Sequence, residues 1–86
     1  MKIVLLGTGC PQVDPQRMGP ALLIQAGGRR LLFDCGSGVT QRLVQAGTKG
    51  AEIDALFLTH LHSDHVVDFH QLLVSSWHQG RDRPWK

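Results

Sequence analysis

Thr59-His60-Leu61-His62-Ser63-Asp64-His65 places three of the chain's five histidines and one aspartate within six consecutive positions, directly after the apolar run Ala55-Leu56-Phe57-Leu58. Lone core or surface imidazoles do not account for such a cluster, whereas the spacing is that of metal ligands. Side chains alternate along an extended backbone, so His60 and His62 project to one side while Leu61 points away toward apolar packing. Asp64 and His65 follow where the chain turns into a helix, and their side chains can reach a second ion beside the first. Nitrogen and carboxylate donors without thiolate favour zinc, with iron or manganese as alternatives. Carrying the donors on one short loop costs little closure entropy.

A hydrolytic zinc site keeps an open position, because the bound water is the nucleophile and the metal lowers its pKa toward neutrality. Two ions could share that water, and Asp64 is placed to help fix it and to accept its proton. The competing reading is a closed zinc site that only holds the fold. Such sites usually recruit ligands from two separated segments and include cysteine, and this cluster does neither.

These residues need elements to position them. Ile3-Val4-Leu5-Leu6 is a short β-type run stopped by Gly7-Thr8-Gly9-Cys10-Pro11, and the prolines at 11, 15 and 20 mark a loop from Gln12 to Pro20. Ala21 to Gln25 is a second strand. Ala26-Gly27-Gly28-Arg29 is a turn signal that predicts a hairpin back into Arg30 to Asp34. Cys35-Gly36-Ser37-Gly38 breaks that strand. Val39, Leu43, Val44 and Ala46 then recur at helical spacing up to Gly47, a helix stop. A strand over Ala55 to Thr59 leads into the histidine run. Val66, Phe69, Leu73 and Trp77 form a stripe that predicts a second helix from about Asp64 to Gln79, ended by Gly80. Strands followed by strand–helix alternation give an α/β layered fold, partly antiparallel at its N-terminal end and without internal repeats. About four strands and two helices leave one sheet face short of partners. The tail from Arg81 to Lys86 resembles the approach to another strand, so the expectation is the N-terminal portion of a larger domain.

At 86 residues the chain lies near the lower end of the single-domain range, where a metal or a partner supports a marginal core. With 42% apolar and 19% charged residues it is ordinary for a globular protein, and nothing argues for disorder. The net charge of +2, carried by scattered basic residues, is too small to argue for nucleic acid by itself. The apolar run after Lys2 is too short for a signal sequence, and no stretch approaches a membrane span. The expected setting is cytoplasmic, with Cys10 and Cys35 reduced and buried as small apolar groups.

The run from Thr59 to His65 resembles the His-x-His-x-Asp-His signature of the metallo-β-lactamase fold hydrolases. Leu6-Gly7-Thr8-Gly9 after the first strand agrees, as does Leu32-Phe33-Asp34-Cys35-Gly36-Ser37-Gly38 followed by Thr40-Gln41. Together they look most like the ribonuclease Z and arylsulfatase-like branch, over nearly the whole chain. The resemblance implies a four-layer αβ/βα sandwich with a two-zinc site at one edge of the sheets. His60 and His62 would bind the first zinc, Asp64 and His65 the second, and Asp64 would also be the catalytic proton acceptor. Asp34 would orient the site from behind the ligands; its other reading is a carboxylate capping the turn at Gly36. Ser37 stands where ribonuclease Z proper usually carries glutamate, which leans toward the arylsulfatase-like relatives. Family members supply a further histidine, a bridging aspartate and a final histidine from downstream segments, which these residues do not include.

The implied function is zinc-dependent hydrolysis of phosphodiester or sulfate-type esters, with RNA among the substrates. One rival is a non-catalytic metal-binding or assembly module completed by a second chain or, as a homodimer, by another copy of itself. Another is a thioester, lactone or β-lactam hydrolase of the same fold. Gly7-x-Gly9 lacks the third glycine of a dinucleotide site. His70, on the apolar stripe, is expected to be a core histidine, and His78 to interact with the helix dipole. Trp77 and Trp85 are expected in the core or an interface.

Overall fold

The computed structural model describes residues 1–86. Four strands form one sheet in the order β1 (Lys2–Gly7), β2 (Ala21–Ala26), β3 (Arg29–Phe33), β4 (Ala55–Phe57). The first three are antiparallel, and β3 pairs with β4 in parallel. The β2–β3 link is the two-residue turn expected of Gly27-Gly28, both with positive φ (57° and 76°), as a twist-compatible hairpin turn requires. A parallel β3–β4 pair needs a crossover, and helix α1 (Val39–Gln45) with a single 3-10 turn at Gly50–Glu52 supplies it. Gly47 ends α1 in a left-handed cap (φ 85°): its N–H donates to the Val44 carbonyl and that of Thr48 to Leu43.

One face of the sheet carries the core. Leu6, Ala21, Leu23 and Leu32 pack against Val39 and Leu43 of α1, with Cys35, Ile53 and Leu72 completing the cluster. The other face is apolar as well. Ile3, Ile24, Leu31 and Ala55 align in one row, and Leu5, Leu22, Phe33 and Phe57 in the next. Ile3, Leu5 and Phe57 are 57%, 70% and 47% exposed, so this is the sheet face expected to be short of partners. The tail docks back on the core side. The Arg81 guanidinium donates to the carbonyls of Ile53 and Pro84 and lies 3.9 Å over the Trp85 ring, and Lys86 O accepts from Leu56 N–H at the outer edge of β4. No helix is long and apolar enough to cross a membrane.

Several expectations need correction. The helix expected over Asp64 to Gln79 is two helices, α2 (Ser63–Val66) and α3 (Phe69–His78). The break falls at Asp68, whose N–H is drawn to the Cys35 carbonyl and whose carboxylate accepts from Thr40 N–H at the start of α1. That break re-phases the helix, so α3 buries Leu72 and Ser76; Trp77 is 71% exposed, and Phe69 and His70 are exposed rather than core. The Ala55–Thr59 strand pairs only as far as Phe57.

Both cysteines are free, as expected, but only Cys35 is buried, while Cys10 is exposed on its loop. Burial, reinforced by the carboxylates of Asp68 and Asp34, pushes the Cys35 thiol up to about 12 from an ordinary 9.0. The thiolate is the reactive form, so near pH 8 iodoacetamide is expected to label Cys10 while Cys35 reacts about 1,000-fold more slowly than a free thiol. Mass spectrometry reads the two sites separately, and labelling of Cys35 at the Cys10 rate would contradict its burial.

Candidate metal centre

β3 and β4 run side by side until β3 ends at Phe33. Asp34 then turns away in a left-handed conformation (φ 65°), the one non-glycine residue of the chain with positive φ. Aspartate tolerates this geometry better than most residues. With the β3 backbone gone, the Asp34 carboxylate takes over the ladder: Oδ1 accepts from Thr59 N–H at 2.8 Å. This holds the exit of β4 straight and delivers His60 beyond the edge of the sheet. The far end of the run is tied to the same turn, because Cys35 N–H donates to the His65 carbonyl (2.8 Å). Two adjacent residues, Asp34 and Cys35, therefore clamp both ends of the histidine loop.

The loop gathers the expected residues. The His60 and His62 rings meet edge to face with centroids 4.8 Å apart, and the His60 and His65 centroids are 3.9 Å apart. Asp64 Oδ2 lies 3.5 Å from His65 Nε2, and Asp34 Oδ2 lies 3.0 Å from His65 Nδ1 on the opposite side of that ring. The Asp34 contact is short but off the line of the ring N–H, so Nδ1 of His65 has close charge without an aimed hydrogen bond. His60 and His62 are exposed, while Asp64 and His65 are half-buried. Leu61, expected to turn into apolar packing, is 78% exposed instead. No three of these donors converge closely enough to hold an ion among themselves.

The donor chemistry fits zinc, iron or manganese in kind, since imidazoles and a carboxylate share one rim. The support behind them fits too. Metal-bound histidines characteristically engage their second ring nitrogen with a carboxylate or another polar group, and here Asp34 faces His65 Nδ1 while Thr59 Oγ1 lies 3.1 Å from His60 Nδ1. Burial opposes charge on Asp34, but the Thr59 N–H, the His65 ring and the Thr59 hydroxyl outweigh it and hold the carboxyl below its ordinary 3.8.

Two contributors escape sequence reasoning. Asp68 locks the α2–α3 junction to α1, and a lone aspartate inside a helical stripe gives no sign of that. The second is the proline-rich loop, which reads from sequence as a connection only. It forms one wall of a cleft of about 380 Å³ beside Asp64, with Cys10, Val13, Arg17 and Met18 facing Ser37 and Ser63. The basic Arg17 on a loop bounded by Gly9 and Gly19 is the signal that could have found it.

The sequence matches the family described as anti-Pycsar protein Apyc1 over residues 1–85. It is 49% identical over 77 residues to the ribonuclease Z of Mycobacterium marinum and 51% identical over 77 residues to that of Mycolicibacterium paratuberculosis, in each case covering 90% of this chain and 28% of the relative. The chain thus spans a little over a quarter of the length of these curated relatives. Its fold matches the crystal structure of human tRNase Z, short form (TM-score 0.86, 35% identity), over 93% of this chain and 31% of that one. It also matches the metallo-β-lactamase fold protein YhfI from Bacillus subtilis (TM-score 0.81, 27% identity), over 90% and 32%. With the fold, the histidine loop and these matches in agreement, the chain belongs to the family described as anti-Pycsar protein Apyc1, among the metallo-β-lactamase fold hydrolases that include ribonuclease Z.

Proposed function

We propose that His60, His62, Asp64 and His65 form the first part of a two-zinc hydrolytic site within one metallo-β-lactamase domain, acting on phosphodiester or sulfate-type esters. Manganese or iron are the alternative ions. The observation that carries this reading is the grouping of three imidazoles and Asp64 at one rim, braced from behind by Asp34 and Thr59. Further ligands would come from segments corresponding to the part of the relatives that this chain, covering 28% of their length, does not match. The bound metal would supply Lewis acidity and an activated water. The chain's own residues do the rest. Asp64, half-buried between the ligand rim and the cleft, accepts the proton of the attacking water; Asp34 keeps the His65 ring in place; Arg17, on the cleft wall, attracts an anionic ester. The names of the relatives bring RNA, and for the human structure tRNA, forward as the phosphodiester substrate. The setting that goes with this reading is cytoplasmic.

Cobalt(II) added to the metal-free chain is expected to produce visible ligand-field bands that EDTA removes. Grafted in place of the matching segment of the M. marinum ribonuclease Z, residues 1–86 are expected to support zinc-dependent cleavage of a phosphodiester. Absence of cobalt bands at millimolar metal would end the metal reading, and hydrolysis of aryl sulfate alone by the graft would end the phosphodiester one.

A further inference from the structure

The histidine run opens on a threonine for which ligand counting has no use. Thr59 Oγ1 lies 2.8 Å from Oδ2 and 3.0 Å from Oδ1 of Asp34, and 3.1 Å from Nδ1 of His60. The Asp34 side chain is only 10% exposed, so its hydrogen-bond partners are protein groups. A hydroxyl has one proton to donate, and an ionised carboxylate can only accept. That proton therefore goes to Asp34. Toward His60 the hydroxyl has nothing left but lone pairs, and a 3.1 Å approach is attractive only if Nδ1 carries the hydrogen. The opposite tautomer would set two lone pairs against each other at that distance.

We propose that Thr59 is a positioning residue that relays Asp34 to His60, holding the imidazole as its Nδ1–H tautomer and leaving the Nε2 lone pair free at the ligand rim. One carboxylate then addresses two imidazoles, His65 directly and His60 through the hydroxyl. The use of this arrangement rests on the metal reading, because a ring with Nε2 protonated cannot ligate through that atom. The relay itself belongs to the metal-free chain and is measured there.

The test is long-range proton–nitrogen correlation NMR of the ¹⁵N-labelled, metal-free 86-residue chain at about pH 8, where imidazoles are mainly neutral. The wild type is expected to show a pyrrole-like Nδ1 and a pyridine-like Nε2 at His60. Thr59→Val, nearly isosteric, is expected to shift His60 toward the Nε2–H form and to weaken cobalt(II) binding about 10- to 100-fold, as loss of a supporting partner does. Thr59→Ser keeps the hydroxyl and is expected to restore both. A merely structural role would lower stability in Thr59→Val without moving the tautomer. An Nε2–H wild type, or a folded Thr59→Val that keeps the Nδ1–H form, overturns the proposal. If Thr59→Val does not fold, the wild-type and Thr59→Ser tautomers decide it. A wild type in the Nδ1–H form that takes up no cobalt overturns the metal reading and leaves the relay standing.

Discussion

Gly36→Ala is expected to lower the unfolding free energy by about 3 kcal/mol or more, the scale of severe overpacking in a rigid interior. A Cβ on Gly36 would sit 2.5 Å from Gly19 C and Pro20 N and 2.7 Å from Gly19 Cα, all of them backbone atoms. No side chain can swing aside to make room. The two segments are held together by Gly36 N–H to the Pro20 carbonyl (3.1 Å) and Gly19 N–H to the Ser37 carbonyl (2.9 Å), so separating them breaks both bonds. Gly7 seals the same place, since its Cβ would fall 1.9 Å from Gly19 O. Domains of this size are stable by about 0.05–0.15 kcal/mol per residue, so the substitution removes a large share of the whole. Gly27→Ala is the control. Its Cβ meets nothing within 4 Å, and it bears only the left-handed penalty at φ 57°, about 1 kcal/mol. Urea unfolding followed by circular dichroism measures both. A loss below about 1 kcal/mol for Gly36→Ala would mean that the backbones part without cost, and the packing described at this crossing would be wrong.

The consequence reaches the proposed metal centre, because Gly36 directly follows the Asp34–Cys35 clamp. The loop from Thr8 to Pro20 is closed on itself by Gly9 N–H to the Met18 carbonyl and sewn at Gly19–Ser37 and Gly36–Pro20 to the turn that braces the histidines. Glycines at 7, 19 and 36 thus let a cleft wall, a strand end and the brace of the histidine loop share one crossing. A loosened crossing would spread the cleft beside Asp64 as well as destabilise the fold.

What the sequence discloses and what it hides divide along a physical line. Local codes are legible. Gly27-Gly28 specifies a hairpin turn because two consecutive positive φ values demand glycine, and Gly47 marks a left-handed helix end for the same reason. The alternation of His60, Leu61 and His62 after a strand places the two imidazoles together because extended chains have period two. Nonlocal competition is hidden. The run from Val66 to Trp77 has a helical apolar period, yet the helix breaks where Cys35, more than thirty positions away in sequence, captures the Asp68 N–H. Thr59 has the same history: β3 leaves the sheet at Asp34, and a side chain finishes the strand pairing that periodicity extends to Thr59. Trp77 looks like an anchor by composition and lies exposed because the re-phased helix buries Leu72 and Ser76 instead. In each case a distant hydrogen bond outweighs a local pattern worth only tenths of a kcal/mol per residue.

Asp34→Asn tests the clamp without dismantling it, and it is expected to weaken cobalt(II) uptake by about 10- to 100-fold in a chain that still folds. Asparagine has the same shape and tolerates the left-handed φ of 65° at this position, so the turn survives. Its single carbonyl oxygen goes to the Oδ1 place, where Thr59 N–H and Oγ1 both approach (2.8 and 3.0 Å). The amide NH₂ must then occupy the Oδ2 place, 3.0 Å from His65 Nδ1. A donor facing Nδ1 stabilises a lone pair there and moves the His65 proton to Nε2, the nitrogen beside Asp64. That ring could no longer ligate through Nε2, and the negative charge behind both imidazoles would be gone. Stability is expected to fall by about 1–3 kcal/mol, the cost of impaired hydrogen bonds to a buried charged group. The pH dependence carries a sign. The folded-state carboxyl is held below its ordinary 3.8, so its contribution is present above that value and is lost as pH falls through the folded-state value. The asparagine variant should therefore lose less stability than wild type on acidification below pH 3.8. Cobalt titration, the His65 tautomer by NMR and acid unfolding curves are three independent readouts. Cobalt affinity within about threefold of wild type, with His65 unchanged, would remove Asp34 from the metal centre and return it to the plainer role of holding the end of β4.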